Sequence, residues 1–196
     1  MEFCMQYKGI VIREYKRSDL NGVHQMLSSP QVYKTTCAIP YNCNRTYALL
    51  WVDNIRKSLK KRTDFEFGIF YAESGEYIGN IGLISVSYIN KSADLTYIIT
   101  PKYQHRGYAL TAAKLMIAYG FERLGLIRIH AKCMDFNIAS RRVMEKCGFS
   151  YEGTGRNEMY KDEKAYDLVH YSLLKNEYLS LKGSVFFSDV FFPAAK

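Results

Sequence analysis

With 196 residues, the chain has room for one domain with a full core, and its 48% hydrophobic and 23% charged residues exclude a disordered or fibrous protein. Five cysteines (Cys4, Cys37, Cys43, Cys133 and Cys147) form neither a disulfide framework nor a zinc site, being odd in number and without a Cys-x-x-Cys pair. No stretch approaches the ~20 apolar residues of a membrane span, and the net charge of +8 favours anionic partners. A phosphorylated cofactor fits that charge better than nucleic acid, because no basic run is interleaved with aromatics as in known nucleic-acid modules.

Residues 9–14 read as a first strand. Glu2, Gln6, Lys8 and Arg13 interrupt any apolar leader, so a reducing, cytoplasmic location is expected. Ser18-Asp19 offers N-cap chemistry for a helix carrying Leu20, Val23, Met26 and Leu27 on one face, and Ser28-Ser29-Pro30 stops it. Residues 30–43 lack periodicity and read as a loop with at most one helical turn. A second helix starts near Asn44, places Tyr47, Leu50, Trp51, Ile55 and Leu59 at helical spacing, and ends in Lys60-Lys61-Arg62, which suits the negative helix pole. Residues 65–71 and 77–88 are strands joined by the turn Glu73-Ser74-Gly75-Glu76; Gly79 and Gly82 in the second mark a bulge or close packing.

A fourth strand covers residues 94–100, a helix 107–123, a fifth strand 126–134 and a fourth helix 137–147. A further strand begins at residues 148–155, and a polar hairpin tip, Lys161-Asp162-Glu163-Lys164, leads to a last strand at 165–174. Residues 1–180 are expected to be one domain, followed by a tail, 181–196. Val185-Phe186-Phe187 and Val190-Phe191-Phe192 would make that tail fold back on its domain or join a second copy in a homodimer.

The densest chemistry lies in Gln104-His105-Arg106-Gly107-Tyr108-Ala109. This run joins an apolar strand to a helix with Leu110, Ala113, Ile117 and Phe121 on one face. The first N–H groups of a helix lack intrahelical partners and face the positive dipole end, so they form an anion site. Gly107 and Ala109 let a phosphate approach the backbone, while Arg106 and Lys102 add positive charge. The pattern is neither Gly-x-Gly-x-x-Gly nor a phosphate loop ending in Gly-Lys-Ser/Thr, which argues against a dinucleotide or nucleoside triphosphate.

Gln104-x-x-Gly107-x-Ala109 resembles the Arg/Gln-x-x-Gly-x-Gly/Ala signature of the GNAT acetyltransferase superfamily. Asn137-Ile138-Ala139-Ser140 and Glu145-Lys146-Cys147-Gly148-Phe149 resemble a downstream segment, and Glu152-Gly153, Arg156 and Asp167-x-x-x-Tyr171-Ser172-Leu173 are similar to the branch containing the ribosomal-protein N-terminal acetyltransferases. The resemblance keeps the family's order over roughly residues 8–179 and does not cover the tail.

That resemblance implies a mixed α/β fold, with a mostly antiparallel twisted sheet splayed between strands four and five and about four flanking helices. It implies acetyl-CoA as co-substrate, no metal, and direct transfer to a primary amine without a covalent intermediate. Ile98, Ile99 and Thr100 would pair with the pantetheine arm, with the Ile99 N–H facing the thioester oxygen. Gln104, His105, Arg106, Gly107, Tyr108 and Ala109 would hold the pyrophosphate; Asn137 would bond the arm and Ser140 would lie near the sulfur.

Direct transfer must deprotonate the amine, stabilise the oxyanion and neutralise the thiolate. Many members use a tyrosine acid where this chain has Met144, a departure that argues against the polyamine type; the resemblance to the ribosomal branch, whose matching serine can take the acid role, implies Ser140 as the acid, ahead of Tyr108 and Tyr103. Asp94 is the first candidate base, with Glu152 and Glu158 as others, each weighed against a plain surface charge. An α-amine near pKa 8 needs less help than a lysine near 10.4, so the sparse acid–base set leans towards protein or peptide N-termini. A small-molecule amine (antibiotic, polyamine or amino acid) and a non-catalytic coenzyme sensor are the rival expectations. No membrane partner and no direct nucleic-acid contact are expected.

Overall fold

Lys8 and Gly9, at φ +43° and +80°, turn the chain between β1 (Cys4–Tyr7) and β2 (Ile10–Arg13), making a hairpin where the sequence suggested one strand. The structure, a computed structural model, describes residues 3–182. After β2 come α1 (Leu20–Leu27), α2 (Pro30–Thr35) and α3 (Arg45–Lys61). Pro30, expected only to stop α1, opens α2 as its first residue, where its missing N–H costs nothing. Asn44 caps α3 by accepting from the Tyr47 N–H at 2.8 Å, and Arg62 closes it in a left-handed conformation.

The remaining elements are β3 (Phe65–Tyr71), β4 (Tyr77–Ser87), β5 (Ser92–Ile99), α4 (Tyr108–Glu122), β6 (Arg128–Met134), α5 (Ile138–Lys146), β7 (Ser150–Lys161), β8 (Lys164–Leu174) and α6 (Lys175–Lys182). The fold is mixed α/β, with six helices among the described residues rather than about four; α2 and α6 are the additions. The strands form one sheet in the order β1-β2-β3-β4-β5-β6-β8-β7, antiparallel except for β5 and β6. The extra hairpin strand makes these two the fourth and fifth strands of the sequence reading. Helix α6 carries the chain past the expected boundary at residue 180, and the aromatic part of the tail lies outside the described residues.

Two cores lie on opposite faces of the sheet. On one face, Leu95, Ile99, Ile129, Ala131, Cys133, Val169, Tyr171 and Leu173 pack with α4 and with Met144 of α5. On the other, α1 and α3 cover Phe70 and Tyr77, with Ile98 at the edge. Strand periodicity sends Arg128, His130, Lys132, His170 and Ser172 to this second face. Beyond the second core, the face therefore continues as a polar floor across β6, β8 and β7.

Close packing of β4 on β5 fixes the edge of that floor. A Cβ on Gly79 would overlap the Ile98 carbonyl oxygen of the paired strand. Gly79→Ala is expected to destabilise the fold by roughly 1–3 kcal/mol through overpacking. Urea unfolding measures this; an unchanged midpoint would mean that β5 can move away without penalty.

Candidate active site

β5 and β6 pair only from Ser92–Asp94 to Arg128–His130, and then diverge. From Leu95 onward, one side of β5 has no paired strand, while the other stays bonded to β4 as far as Gly79–Ile99. Thr100 donates its N–H to the Ile78 carbonyl at 2.9 Å, on the β4 side. Backbone groups alternate along a strand, so both the N–H and the C=O of Ile99 point into the gap. Gln104 Nε2 approaches that carbonyl at 3.0 Å. Ile99 thus turns its N–H to the gap as an open donor, while its carbonyl accepts from Gln104; the amides of Ile98 and Thr100 belong to the β4 ladder.

The turn after β5 leads into an uncapped helix start. Gly107 is the residue before α4, at φ +82°, and no side chain caps the helix. A Cβ added to Gly107 meets nothing within 4 Å, so the approach is open. His105 also has positive φ (+62°), and Arg106 is exposed, its guanidinium 5.6 Å from the Tyr103 ring centroid. Tyr108 and Ala109 supply the first N–H groups of α4. Gln104 acts on the shape of the turn: besides holding Ile99, it accepts from Gln31 Nε2 at 2.8 Å, which links α2 to the cradle. Thr100 Oγ1 is the one buried side-chain oxygen without a hydrogen-bond partner among the described residues. An open helix start, a free strand edge and this orphan hydroxyl all suit a long phosphorylated ligand with amide groups.

The two faces of the gap carry different chemistry. On the helix face, the Tyr97 hydroxyl lies 2.8 Å from Ser140 Oγ and donates to the Ser140 carbonyl at 3.0 Å. Burial raises the Tyr97 phenol far above its usual range, partly offset by the Ser140 hydrogen bond, so it stays a neutral donor. On the opposite face, Asp94 Oδ1 is 3.2 Å from His130 Nδ1, at the last paired position before the strands part. A group held in the gap therefore meets a hydroxyl pair on one side and a carboxylate–imidazole pair on the other.

Other expected residues have prior commitments. Asn137 Oδ1 accepts from the Ser140 N–H at 3.1 Å and caps α5, while its Nδ2 is 3.4 Å from the Thr35 carbonyl. Glu152 pairs with Arg128 and accepts from Ser172 Oγ; these bonds, Arg128 first, hold its carboxyl at about 2, too low for a useful base. Glu158 accepts from Lys132 at 2.9 Å and from His170; burial would raise its carboxyl, but these bonds hold it below its usual value. Met144 is 1% exposed in the larger core and has no proton to give. Burial pushes the Cys133 thiol up to about 11, although Ser140 hydrogen-bonds it, which suits packing rather than acyl transport.

The sequence reading missed Tyr97, His130, His170 and Glu66. The signal for the histidines was available: two of four sit inside strand patterns at outward positions. Glu66 lies on the Asp94 face, its carboxyl pushed up to about 7, chiefly by burial and then by Asp64. At the open end of the gap, Tyr33, Lys34, Met134, Lys161, Asp162 and Tyr166 enclose about 270 Å³. Tyr33 donates to Asp162 there, and Lys161 donates to the Tyr33 and Thr36 carbonyls, clasping α2 to the β7–β8 hairpin.

The unpaired edge of β5 beside the open start of α4 leaves room for an extended ligand between β5 and β6. The sequence matches the acetyltransferase (GNAT) domain over residues 10–150, and the chain belongs to that family. It is an acetyl-CoA-dependent N-acetyltransferase, moving acetyl groups to amines.

YdaF of Bacillus subtilis, named provisionally as a ribosomal N-acetyltransferase, is 32% identical over 133 residues, covering 68% of this chain and 72% of YdaF. The Escherichia coli spermidine N(1)-acetyltransferase is 26% identical over 171 residues, covering 87% and 89%. The structure of RimL, a ribosomal L7/L12 α-N-protein acetyltransferase in complex with coenzyme A, aligns with a TM-score of 0.80 at 18% identity, over 88% of this chain and 98% of RimL; at that identity the likeness is one of fold. No helix among the described residues is long and apolar enough to cross a membrane.

Proposed function

We propose that the chain acetylates the α-amine of a protein or peptide N-terminus. Acetyl-CoA, when bound, supplies an activated acetyl thioester. The start of α4 and Arg106 hold its pyrophosphate, and the Ile99 N–H, which faces the gap, stabilises the oxyanion. Asp94 receives the amine proton on one face, while Ser140, backed by Tyr97, donates to the sulfur on the other. Amine and thiolate thus meet proton-handling groups on different sides of the thioester carbon, and no covalent enzyme intermediate is needed.

The observation that carries the acceptor class is the charge of the acceptor face. Glu152 and Glu158 are both bonded to cations, and at the mouth Lys34 and Lys161 outnumber the one carboxylate, Asp162. A polyamine site needs uncompensated carboxylates, and this floor offers few. An α-amine, with pKa near 8, suits a single carboxylate base.

The second reading, a small amine, draws its support from the similarity to the spermidine enzyme. Release of free thiol from acetyl-CoA, assayed with short peptides bearing free N-termini and with spermidine, separates the readings. Turnover on peptides with at least about tenfold higher kcat/KM is expected. The reverse order would move the assignment to small amines, and coenzyme binding without turnover on any amine would leave a sensor.

A further inference from the structure

We propose that His130 and His170 form a proton path leading from Asp94, at the apex of the gap, to Glu158 on β7. The proposal rests on the amine-transfer reading above and goes beyond it, because it assigns the route by which the acceptor's proton leaves.

The contacts run without a break across four strands. Asp94 Oδ1 (β5) is 3.2 Å from His130 Nδ1 (β6), and His130 Nε2 is 3.1 Å from His170 Nδ1 (β8). His170 Nε2 hydrogen-bonds Glu158 Oε2 (β7), and Glu158 Oε1 accepts from Lys132 Nζ at 2.9 Å. His130 and His170 side chains are 22% and 25% exposed, sheltered enough to keep this order, while Asp94 at 44% and Glu158 at 30% leave both ends open to water. The inner end lies at the last register pair before β5 and β6 diverge.

Counting protons shows why the chain conducts. Three hydrogen bonds link the four groups. Two ionised carboxylates bring no proton and two neutral imidazoles bring two, so one bond is vacant. With His130 protonated at Nε2 and His170 at Nε2, the vacancy lies between Asp94 and His130. The acceptor ammonium gives one proton to Asp94, whose carboxyl turns to present it to His130, and the amine lone pair attacks the thioester carbon as the C–S bond breaks; the second amine proton, lost as the amide forms, replaces the one that the Ser140–Tyr97 pair gives to the departing sulfur, so one net proton enters the path. The proton fills the vacancy; each bond in turn shifts one proton outward, and Glu158 releases one to water. Exchange of the rings with water restores the first arrangement.

A chain already holding the extra proton cannot accept another, so transfer falls with decreasing pH along a one-proton limb. The charged groups along the path are Asp94 from β5, Glu152 and Glu158 from β7, and Arg128 and Lys132, which flank His130 on β6 and pair with those two glutamates. Within this path the histidines position and pass the proton; Asp94 is the group that meets the substrate.

The test uses the full chain with acetyl-CoA and a short peptide carrying a free N-terminus. The kcat and kcat/KM values are measured against pH for wild type, His130→Gln and His170→Gln. The expected result is a kcat loss of about 100-fold and a displaced acid limb in both variants, with coenzyme affinity by calorimetry within twofold of wild type. Glu158→Gln, at the outer end, is expected to move the limb in the same sense and keeps the path testable where His130→Gln fails to fold. Variants that keep kcat and the wild-type pH profile would show the histidines to be strand ties only, leaving the transfer reading intact. Wild type that binds acetyl-CoA yet acetylates neither peptide nor spermidine would remove the transfer reading and the path together.

Discussion

Gly107→Glu is expected to abolish acetyl-CoA binding while leaving the fold in place. Gly107 sits at φ +82° at the start of α4, so a side chain there brings a backbone cost of order 1–2 kcal/mol. His105 already holds a comparable conformation two residues earlier, and a Cβ on Gly107 meets nothing within 4 Å. Stability should therefore fall by little more than the backbone cost. The effect on the ligand is far larger. The new carboxylate would lie where the helix start attracts an anion, take up the free N–H groups itself and face the pyrophosphate. Two like charges about 4 Å apart near a protein surface repel by roughly 4 kcal/mol, or about a thousandfold in affinity. Gly107→Ala separates the terms, because it carries the backbone cost without the charge and should bind within about tenfold of wild type. Calorimetric titration and a melting curve on both variants decide the matter. Micromolar binding retained by the glutamate variant would place the pyrophosphate elsewhere.

The geometry around Gly107 was legible in the sequence because it is local: strand, turn and helix start follow one another within a few residues, with a glycine marking the turn. The chemistry on the two faces was not. Tyr97 and Ser140 are 43 residues apart, Asp94 and His130 are 36, and His130 and His170 are 40. Each pair depends on strand register, which periodicity does not set. Composition could name Glu152 and Glu158 as carboxylates in the right region, but not that Arg128 and Lys132 would pair with them from the neighbouring strand. Pro30 shows the local counterpart of the same limit, since one residue type can end α1 or begin α2. Strand β1 was missed because four residues at the chain's start carry little pattern of their own.

The second large effect concerns the leaving group. Ser140→Ala and Tyr97→Phe are each expected to lower kcat by about 10- to 100-fold, with acetyl-CoA affinity within twofold of wild type. Neither hydroxyl is a strong acid, and burial has moved Tyr97 further from being one. Their service is a hydrogen bond aimed at the thiolate as its charge develops, worth more in this sheltered gap than in water. The two hydroxyls lie 2.8 Å apart and share one proton position. In the serine variant, Tyr97 keeps only the residue-140 carbonyl as a nearby partner and is drawn away from the sulfur. In the phenylalanine variant, Ser140 loses the group that orients it and can turn towards Cys133. Removing either breaks the same unit, so the double variant should be hardly slower than the worse single one. Stopped-flow thiol release under single-turnover conditions gives the four rates of that cycle. Losses that multiply would make the hydroxyls independent, and an unchanged rate in Ser140→Ala would remove its acid role and leave Tyr97 as the donor.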